Sequence, residues 1–257
     1  MLFWKYEGAG NDFIIIDNRQ NIFNGKDNKL VEKMCCRRFG IGADGLLLLQ
    51  EHNDYDFEMR YFNSDGFETE MCGNGARCIV KFAESQGIIN NSANFLAGDG
   101  PHESIIDNNQ VNLRMQNINK IDIRENFYLL NTGVPHYVTF TENLNKVDVF
   151  SEGKKIRYSP EFSKEGVNVN FVSIAKKDIS IRTYERGVEN ETLACGTGIV
   201  ASSLATSIHT KSSLNKYNVY ARGGSLKVFF KKKENNSFTD IWLKGPATFV
   251  FKGEYIS

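Results

Sequence analysis

Two cysteines each begin a glycine-rich segment that leads into a helix-like stretch. Cys72 starts "CGNG" and Cys195 starts "CGTG". A helix N-terminus has N–H groups and a dipole that stabilise an anion, and glycine lets a ligand approach the backbone closely. The same environment lowers the pKa of a thiol from about 8.5. Each segment could therefore offer a reactive thiolate beside a binding site for a carboxylate.

The two cysteines lie in matching halves of the chain. "TEMCGNGARCIVKFA" and "ETLACGTGIVASSLA" have the same order of acidic, apolar, cysteine and glycine residues, and the cysteines are 123 residues apart (195 − 72) in a chain of 257. A strand and a turn precede each segment, and a helix and a series of strands follow it. The pattern predicts an internal duplication, with two similar domains that each contribute one cysteine-bearing helix start.

A pair of such thiols suggests inversion of a stereocentre. One thiolate removes a proton from a carbon, and the opposite thiol delivers a proton to the other face. An acid–base pair contributes roughly 10²–10⁴ in rate, so stabilisation of the carbanion by N–H donors around a carboxylate must supply most of the rest. We expect the active site in a cleft between the two domains.

The composition narrows the class of protein. The chain has 41% hydrophobic residues, with Lys+Arg 31 against Asp+Glu 31, which suits one large or two ordinary domains and argues against nucleic acid or an anionic membrane as the main partner. We find no apolar run of the roughly 18 residues that a spanning helix needs, and no signal-like start, so we expect a cytoplasmic protein.

The remaining cysteines and the histidines indicate no disulfide framework and no metal site. An odd, sparse set of five cysteines without Cys-x-x-Cys is not a disulfide pattern, and the histidines lack metal-ligand spacing. We interpret Cys35, Cys36 and Cys78 as packing residues. The histidines are His52, His102, His136 and His209.

Local patterns predict a mixture of helices and short strands. We predict helices over residues 27–39 and about 75–85, hairpin-connected strands over 92–115, and a linker at 116–126. "GIGADG" (40–45) matches a dinucleotide-binding pattern but follows a helix and precedes a strand, so we interpret it as a turn.

Long segments of the chain resemble the diaminopimelate epimerase family. The resemblance rests on "GAGNDFIIID", "FNSDGFETEMCGNGARC", "GVPH", "GVNVNF" and "YERGVENETLACGTG" and covers nearly the whole chain. It implies a homodimeric epimerase that needs no pyridoxal phosphate or other cofactor. Its substrates would be LL- and meso-2,6-diaminopimelate, on the route to lysine and peptidoglycan.

The resemblance also implies the fold. It is α+β (α/β two-layer), with two pseudo-symmetric domains, each a mixed, largely antiparallel sheet wrapped around a central helix. The last strand would return to the first domain, which gives domains of 1–118 plus 248–257 and of 119–247.

The resemblance assigns roles to matching positions. Cys72 and Cys195 would be the acid–base thiols, while His136 and Glu185 would tune their protonation. The substrate-binding residues would be Asn11, Asn63, Gly73, Asn74, Asn168, Glu185, Arg186, Gly196 and Thr197. The chain departs from the family at Val134, Gly45 and Phe251, where other members often carry Asn, Gln and a Tyr at the dimer contact.

Six of these roles have a structural alternative. Asn11 and Asn63 could be turn residues, and Asn168 could satisfy a buried backbone group. Arg186 could be an ion-pair partner, His136 could pack in the core, and Glu185 could be an exposed carboxylate. The alternative functions are a racemase or epimerase of proline, hydroxyproline or another amino acid, a thiol redox protein, and a non-catalytic binding module.

Overall fold

The computed structural model describes residues 1–256 and divides into two compact units. The first unit is Met1–Leu113 together with the segment that starts at Gly245, and the second is Arg114–Lys244. The sequence placed these divisions at 118/119 and 247/248.

The first unit combines a long mixed sheet with two helices. In chain order its elements are β1 (Leu2–Gly8), β2 (Asn11–Asp17), α1 (Asn28–Cys35), β3 (Gly45–Gln50), β4 (Phe57–Asn63), β5 (Glu68–Thr69), α2 (Gly73–Ser85), β6 (Ser92–Ala97), β7 (Gly100–Asp107) and β8 (Gln110–Met115, which runs two residues past the division), with β18 (Thr248–Glu254) added from the C-terminal segment.

The strands of this unit follow the order β18-β1-β2-β3-β4-β6-β7-β8, with β5 beside β4. The pairs β2–β3 and β4–β6 are parallel, and the others are antiparallel. β18 pairs with β1, so the unit is built from both ends of the chain. Helix α2 packs against β1, β2 and β3, and its residues from Asn74 to Val80 are all buried.

The second unit repeats this plan. Its elements are β9 (Asp122–Ile123), β10 (Tyr128–Asn131), β11 (Pro135–Phe140), a 3₁₀ turn (Leu144–Lys146), α3 (Val149–Arg157), β12 (Asn168–Ala175), β13 (Asp178–Glu185), β14 (Asn190–Thr192), α4 (Gly196–His209), β15 (Lys216–Ala221), β16 (Gly224–Lys232) and β17 (Phe238–Gly245, whose last residue lies past the division).

The strand order of the second unit is β9-β10-β11-β12-β13-β15-β16-β17, with β14 beside β13. Its parallel pairs, β11–β12 and β13–β15, occupy the same places as those of the first unit. Even the register repeats at the 123-residue offset, because Phe13 pairs with Gly45 and His136 pairs with Asn168. The predicted duplication and fold class are confirmed.

Three local predictions need correction. The first helix ends at Cys35 rather than at 39, because Gly40 and Gly42 close it with a turn whose N–H groups reach back to the carbonyls of Cys36 and Met34. Helix α2 starts at Gly73, two residues before the predicted start. Residues 116–126 are not a linker, because Ile118 bridges to Phe238 and strand β9 lies within them.

Helix α3 was not predicted. The Asp148 carboxylate caps it by accepting from the Ser151 N–H at 3.1 Å. Its buried face is narrow, with Val149 and Gly153, and Tyr184 lies so close that a Cβ at Gly153 would be 2.4 Å from it. A helix this short, with a glycine inside it, has little apolar periodicity to detect. In residues 1–256, no helix is long and apolar enough to cross a membrane.

Candidate active-site residues

Cys72 is the N-cap of helix α2. Its backbone is extended (φ −123°, ψ 121°), and its carbonyl accepts the Ala76 N–H at 2.7 Å, the first bond of the helix. A helix leaves its first N–H groups without intrahelical partners, and here Gly73 and Asn74 carry them. The predicted thiol therefore lies at the positive end of a buried helix.

A directed chain of hydrogen bonds holds Asn74 and Asn11 together. The Asn74 Nδ2 donates to Asn11 Oδ1 at 2.5 Å, and the Asn11 Nδ2 donates to Asp44 Oδ2 at 2.9 Å. Asp44 also pairs with Arg37 at 2.7 Å. Two of the predicted substrate-binding residues are thus in contact, and each amide has a fixed orientation.

Asn63 is placed differently. It is the last residue of β4, exposed, and directly opposite Gly45 on β3. Its main chain closes the turn before β5, since its N–H donates to the Phe67 carbonyl at 3.0 Å. Within the described chain, its side chain makes no hydrogen bond to the network of Asn74 and Asn11.

Cys195 repeats the arrangement of Cys72 in the second unit. It is the N-cap of α4 with an extended backbone (φ −109°, ψ 110°), and its carbonyl accepts the Ile199 N–H at 2.9 Å. Its Sγ lies 3.4 Å from the Thr197 Oγ1. The Thr197 carbonyl in turn accepts from the Thr132 hydroxyl at 3.0 Å, which ties the first turn of the helix to the segment before β11.

His136 lies beneath the start of α4 and is held by Asn170. The Asn170 Nδ2 is 3.1 Å from His136 Nδ1 and also donates to the carbonyl of Tyr137 at 2.9 Å, while its Oδ1 accepts from the Thr183 hydroxyl. Because Nδ1 accepts, the proton of the neutral ring is on Nε2. Within residues 1–256, that buried Nε2 has no hydrogen-bond partner.

Burial shifts both predicted tuning residues toward their neutral forms. Burial, reinforced by the positive charge of Arg186, lowers the pKa of His136 to about 3. Burial also raises the pKa of Glu185 above its ordinary value, and the neighbouring Thr192 hydroxyl offsets part of that shift. His136 can therefore act on a neighbour as a neutral N–H donor but not as an imidazolium.

Asn168 and Arg186 meet at the end of β13. The Asn168 Oδ1 accepts the backbone N–H of Arg186 at 2.7 Å, so this amide satisfies a backbone group, as the structural alternative required. The Arg186 guanidinium donates to the Glu165 carbonyl at 2.8 Å. The Asn168 amide holds the "YERG" turn in place and keeps its own Nδ2 for another partner.

Several residues of these networks were not singled out from the sequence, among them Arg77, whose Nη2 donates to the Asn74 Oδ1 at 2.7 Å. Asn170 lies within "GVNVNF". Its spacing of two residues from Asn168 places both on the same face of a strand, and this spacing could have identified it from the sequence. Arg77 was within "CGNGARC", but a cation at a helix position gives no sign of burial. Asp44 and Thr132 had no distinctive pattern.

The other cysteines are packing residues in the structure as well. Cys35 and Cys78 are buried, and burial raises the pKa of Cys35 to about 12 and that of Cys78 further from its ordinary value. Cys36 is partly buried and is the C-cap of α1. None of the three has the helix-start position of Cys72 and Cys195.

A comparison with protein families and curated relatives gives one consistent result. The family model described as diaminopimelate epimerase matches residues 3–121 and 128–250. A diaminopimelate epimerase from Flavobacterium psychrophilum is 50% identical over 98% of this chain and 99% of its own length. That of Chlorobaculum tepidum is 43% identical over 96% and 98%.

Solved structures share the fold at low identity. A PhzF-family phenazine biosynthesis protein from Bacillus anthracis has a TM-score of 0.79 at 14% identity and covers 100% of this chain and 99% of its own. A hydroxyproline epimerase from Agrobacterium vitis has a TM-score of 0.69 at 14% identity and covers 98% and 91%. These likenesses support the two-unit mixed α+β fold.

Proposed function

The chain belongs to the diaminopimelate epimerase family and is an isomerase, and we propose that Cys72 and Cys195 are the acid–base pair with which it interconverts LL- and meso-2,6-diaminopimelate. The observation that carries the proposal is the repeated N-cap position of the two cysteines. Each thiol lies at the start of a buried helix that begins Gly-x-Gly, at matching places in two units of the same plan.

The proposed reaction is a proton transfer that inverts the α-carbon. One cysteine, as thiolate, takes the α-proton and becomes a thiol, and the electron pair stays on the carbon and its carboxylate. The other cysteine, as thiol, gives its proton to the opposite face and becomes the thiolate. In the reverse direction the roles exchange, and the transfer involves no redox step because no electrons leave the substrate.

The helix starts supply the stabilisation that this carbanion needs. Backbone N–H groups at Gly73, Asn74, Gly196 and Thr197 would bind the reacting carboxylate, since such groups favour a negative charge. Preorganised donors are the largest single term in reactions of this kind. The Thr197 hydroxyl, 3.4 Å from the Cys195 sulfur, can donate a hydrogen bond to the thiolate.

The remaining predicted residues would hold the polar groups of the substrate and tune the thiols. Asn11 is preoriented by Asp44, and Arg186 is the cation best suited to a carboxylate. Asn63, Asn168 and Glu185 complete the proposed set. His136 would act through its neutral Nε2–H, as a hydrogen-bond donor that stabilises negative charge on a neighbour.

We also propose that the enzyme is a cytoplasmic homodimer that uses strand β18 as a contact. Three consecutive side chains of this strand are exposed, Phe249 by 51%, Val250 by 52% and Phe251 by 43%. Consecutive residues of a strand face opposite sides, so apolar groups reach solvent on both. A row of large apolar side chains on one strand is typical of a protein–protein contact.

Proton NMR of LL-diaminopimelate with the reduced enzyme in D₂O tests the function. We expect deuterium to enter one α-carbon while meso product appears. Exchange on proline or hydroxyproline but not on diaminopimelate would show that the substrate is that amino acid instead. Absence of exchange on all of them would refute proton transfer, and turnover of peroxide by the reduced protein would support the redox alternative.

The cysteine roles are tested by single substitution. Cys72→Ser and Cys195→Ser should each abolish net epimerisation, because inversion needs a proton donor and an acceptor on opposite faces. Cys78→Ser, six residues along the same helix as Cys72, is the matched control and should keep activity. Full epimerisation by either of the first two variants would contradict the two-thiol mechanism.

A further inference from the structure

Arg77 is a fully buried cation in the helix that Cys72 caps. Its exposed fraction is 0%. Its Nε donates to the Pro246 carbonyl at 3.2 Å, its Nη1 to the Gly73 carbonyl at 3.2 Å and its Nη2 to the Asn74 Oδ1 at 2.7 Å. All three acceptors are neutral, and a guanidinium keeps its proton in a protein. The start of α2 therefore carries a permanent buried positive charge.

This charge has no carboxylate at ion-pair distance within residues 1–256. The ionisable groups that interact with it are Glu7 on β1 and, on its own helix, Cys72 and Cys78. The Glu7 carboxylate accepts from the Gly10 N–H at 3.3 Å, and burial keeps Cys78 a neutral thiol.

The other nearby carboxylate, Asp12, is already paired with two cations. Asp12 on β2, whose charge acts on Cys78, pairs with Lys5 at 2.7 Å and with Arg37 at 2.6 Å. On β1, Tyr6 also interacts with Cys78, and burial raises the pKa of Tyr6, so it is neutral. A buried charge without an anionic partner is costly, and a nearby anion relieves that cost. Glu7 on β1 acts on this charge from beyond ion-pair distance, and the group on the helix itself that can become an anion is the Cys72 thiol.

The second unit has no equivalent of this cation. At the 123-residue offset, Arg77 corresponds to Val200, which is buried, and Phe13 and Leu47 correspond to His136 and Asn170. A Cβ at Gly75 in α2 would touch Phe13 and Leu47, whereas a Cβ at Gly198 in α4 would touch Asn170. The start of α4 thus rests on neutral polar groups. The cation near His136 is Arg186, which is only partly buried, so solvent screens its charge.

We propose that Arg77 is a positioning residue that makes Cys72, rather than Cys195, the thiolate of the ligand-free enzyme. The inference rests on the proposed two-thiol function and adds the resting protonation state of the pair. Cys72 would be the base for the isomer whose α-proton points at the first helix start, and Cys195 would begin as the acid. Arg77 also fixes the Asn74 amide, so that its Nδ2 is directed at Asn11.

The pH dependence of alkylation by iodoacetamide tests the proposal without substrate. Cys72 is followed in Cys195→Ser and Cys195 in Cys72→Ser, by mass spectrometry of the labelled peptide of the reduced, full-length chain. We expect the midpoint for Cys72 to be lower by about one pH unit or more, which is about a tenfold difference in thiolate below both midpoints. Equal midpoints, or a lower one for Cys195, would overturn the proposal.

Substitution of Arg77 tests the cause. Arg77→Met should raise the Cys72 midpoint by about one pH unit or more, and Arg77→Lys should restore most of the difference because it keeps the charge. Lys81→Met, which removes a cation one turn further along α2, is the matched control and should leave the midpoint unchanged. An unchanged midpoint in folded Arg77→Met would refute the role of Arg77.

The two experiments separate this proposal from the proposed function. If Arg77→Met does not fold, the comparison of Cys72 with Cys195 in the chain that keeps Arg77 still decides the resting state. An active epimerase with equal midpoints would refute only the role of Arg77. A chain that has the predicted midpoints but exchanges no α-proton would refute the function instead.

Discussion

At the scale of single residues, burial gives His136 and Glu185 the same preference for the neutral form although one is a base and the other an acid. His136 is 1% exposed, and its only hydrogen-bond partner among the described residues is an amide, so it stays neutral. Glu185, also predicted as a tuning residue, is shifted toward the neutral form by the same cause. Burial, rather than residue type, decides which of these groups carry charge in the folded state.

His136 should make the folded state less stable as the pH falls. Its pKa is about 3 when folded and about 6.5 when unfolded, so below pH 6.5 the unfolded chain binds the extra proton. The stability that it contributes is complete above about pH 7.5 and decreases toward pH 3, with a loss of roughly 2–3 kcal/mol between pH 6.5 and 4.5.

Urea unfolding of the wild type and of His136→Gln from pH 4.5 to 8 measures this contribution. The free energy of unfolding of the wild type minus that of His136→Gln should decrease as the pH falls below 6.5 and be constant above about pH 7.5. Glu185, whose raised pKa acts with the opposite sign, is common to both proteins and cancels. A difference that does not change with pH would show that His136 titrates normally.

At the scale of elements, the two cysteine-bearing helices start alike but rest on different surfaces. Gly75 and Gly198 occupy the same place in the first turn of α2 and α4. A Cβ at Gly75 would lie 3.3 Å from the Leu47 Cδ2, whereas one at Gly198 would lie 2.4 Å from the Asn170 Oδ1. The second helix therefore needs its glycine for close packing on a buried hydrogen-bond network.

Gly198→Ala should destabilise the protein more than the matched Gly75→Ala. The first substitution displaces Asn170, which holds His136 and Thr183, and overpacking of this kind costs roughly 1–3 kcal/mol. The second places its methyl group 3.3 to 3.5 Å from Leu47 and Phe13, which need to move by only a few tenths of an ångström, and gains helix propensity. Chemical denaturation of both variants measures the free energies of unfolding, and equal losses would contradict the argument.

At the scale of the whole molecule, the duplication explains why the fold needs both ends of the chain. Both units share one strand order, but β18 comes from the C-terminus and pairs with β1 at the N-terminus. The rings of Phe251 and Phe3 pack edge to face across this pairing, with their centroids 5.9 Å apart. Phe251 nevertheless remains 43% exposed. The same strand thus completes one unit and presents apolar surface for the proposed dimer contact.

Phe251→Asp should dissociate the proposed homodimer, because it places a charge in an apolar contact. Sedimentation equilibrium should show a dimer for the wild type and a 29.1 kDa monomer for the variant. Phe150→Asp, in α3, removes a phenylalanine of similar exposure (45%) and is the matched control that should stay dimeric. A monomeric wild type would refute the dimer, and a dimeric Phe251→Asp would place its contact elsewhere.

The sequence by itself determined the duplicated architecture and the two cysteine-bearing helix starts. Glycine-flanked cysteines before apolar periodic segments mark helix starts locally, and their repetition with surrounding strands marks a duplication. Helix α3 escaped because its buried face is narrow. Val149 and Gly153 face Tyr184 of β13, about thirty residues later in the chain, and no local pattern records that packing.

Only the tertiary structure decided the electrostatic character of each helix start. The parallel pairing of β11 with β12 places His136 opposite Asn168 and brings Asn170 beneath α4, whereas the matching strands place Phe13 and Leu47 beneath α2. Charge in a protein depends on burial and on partners distant in sequence. The residue types were visible in the chain, but their solvation and contacts exist only after the strands pair.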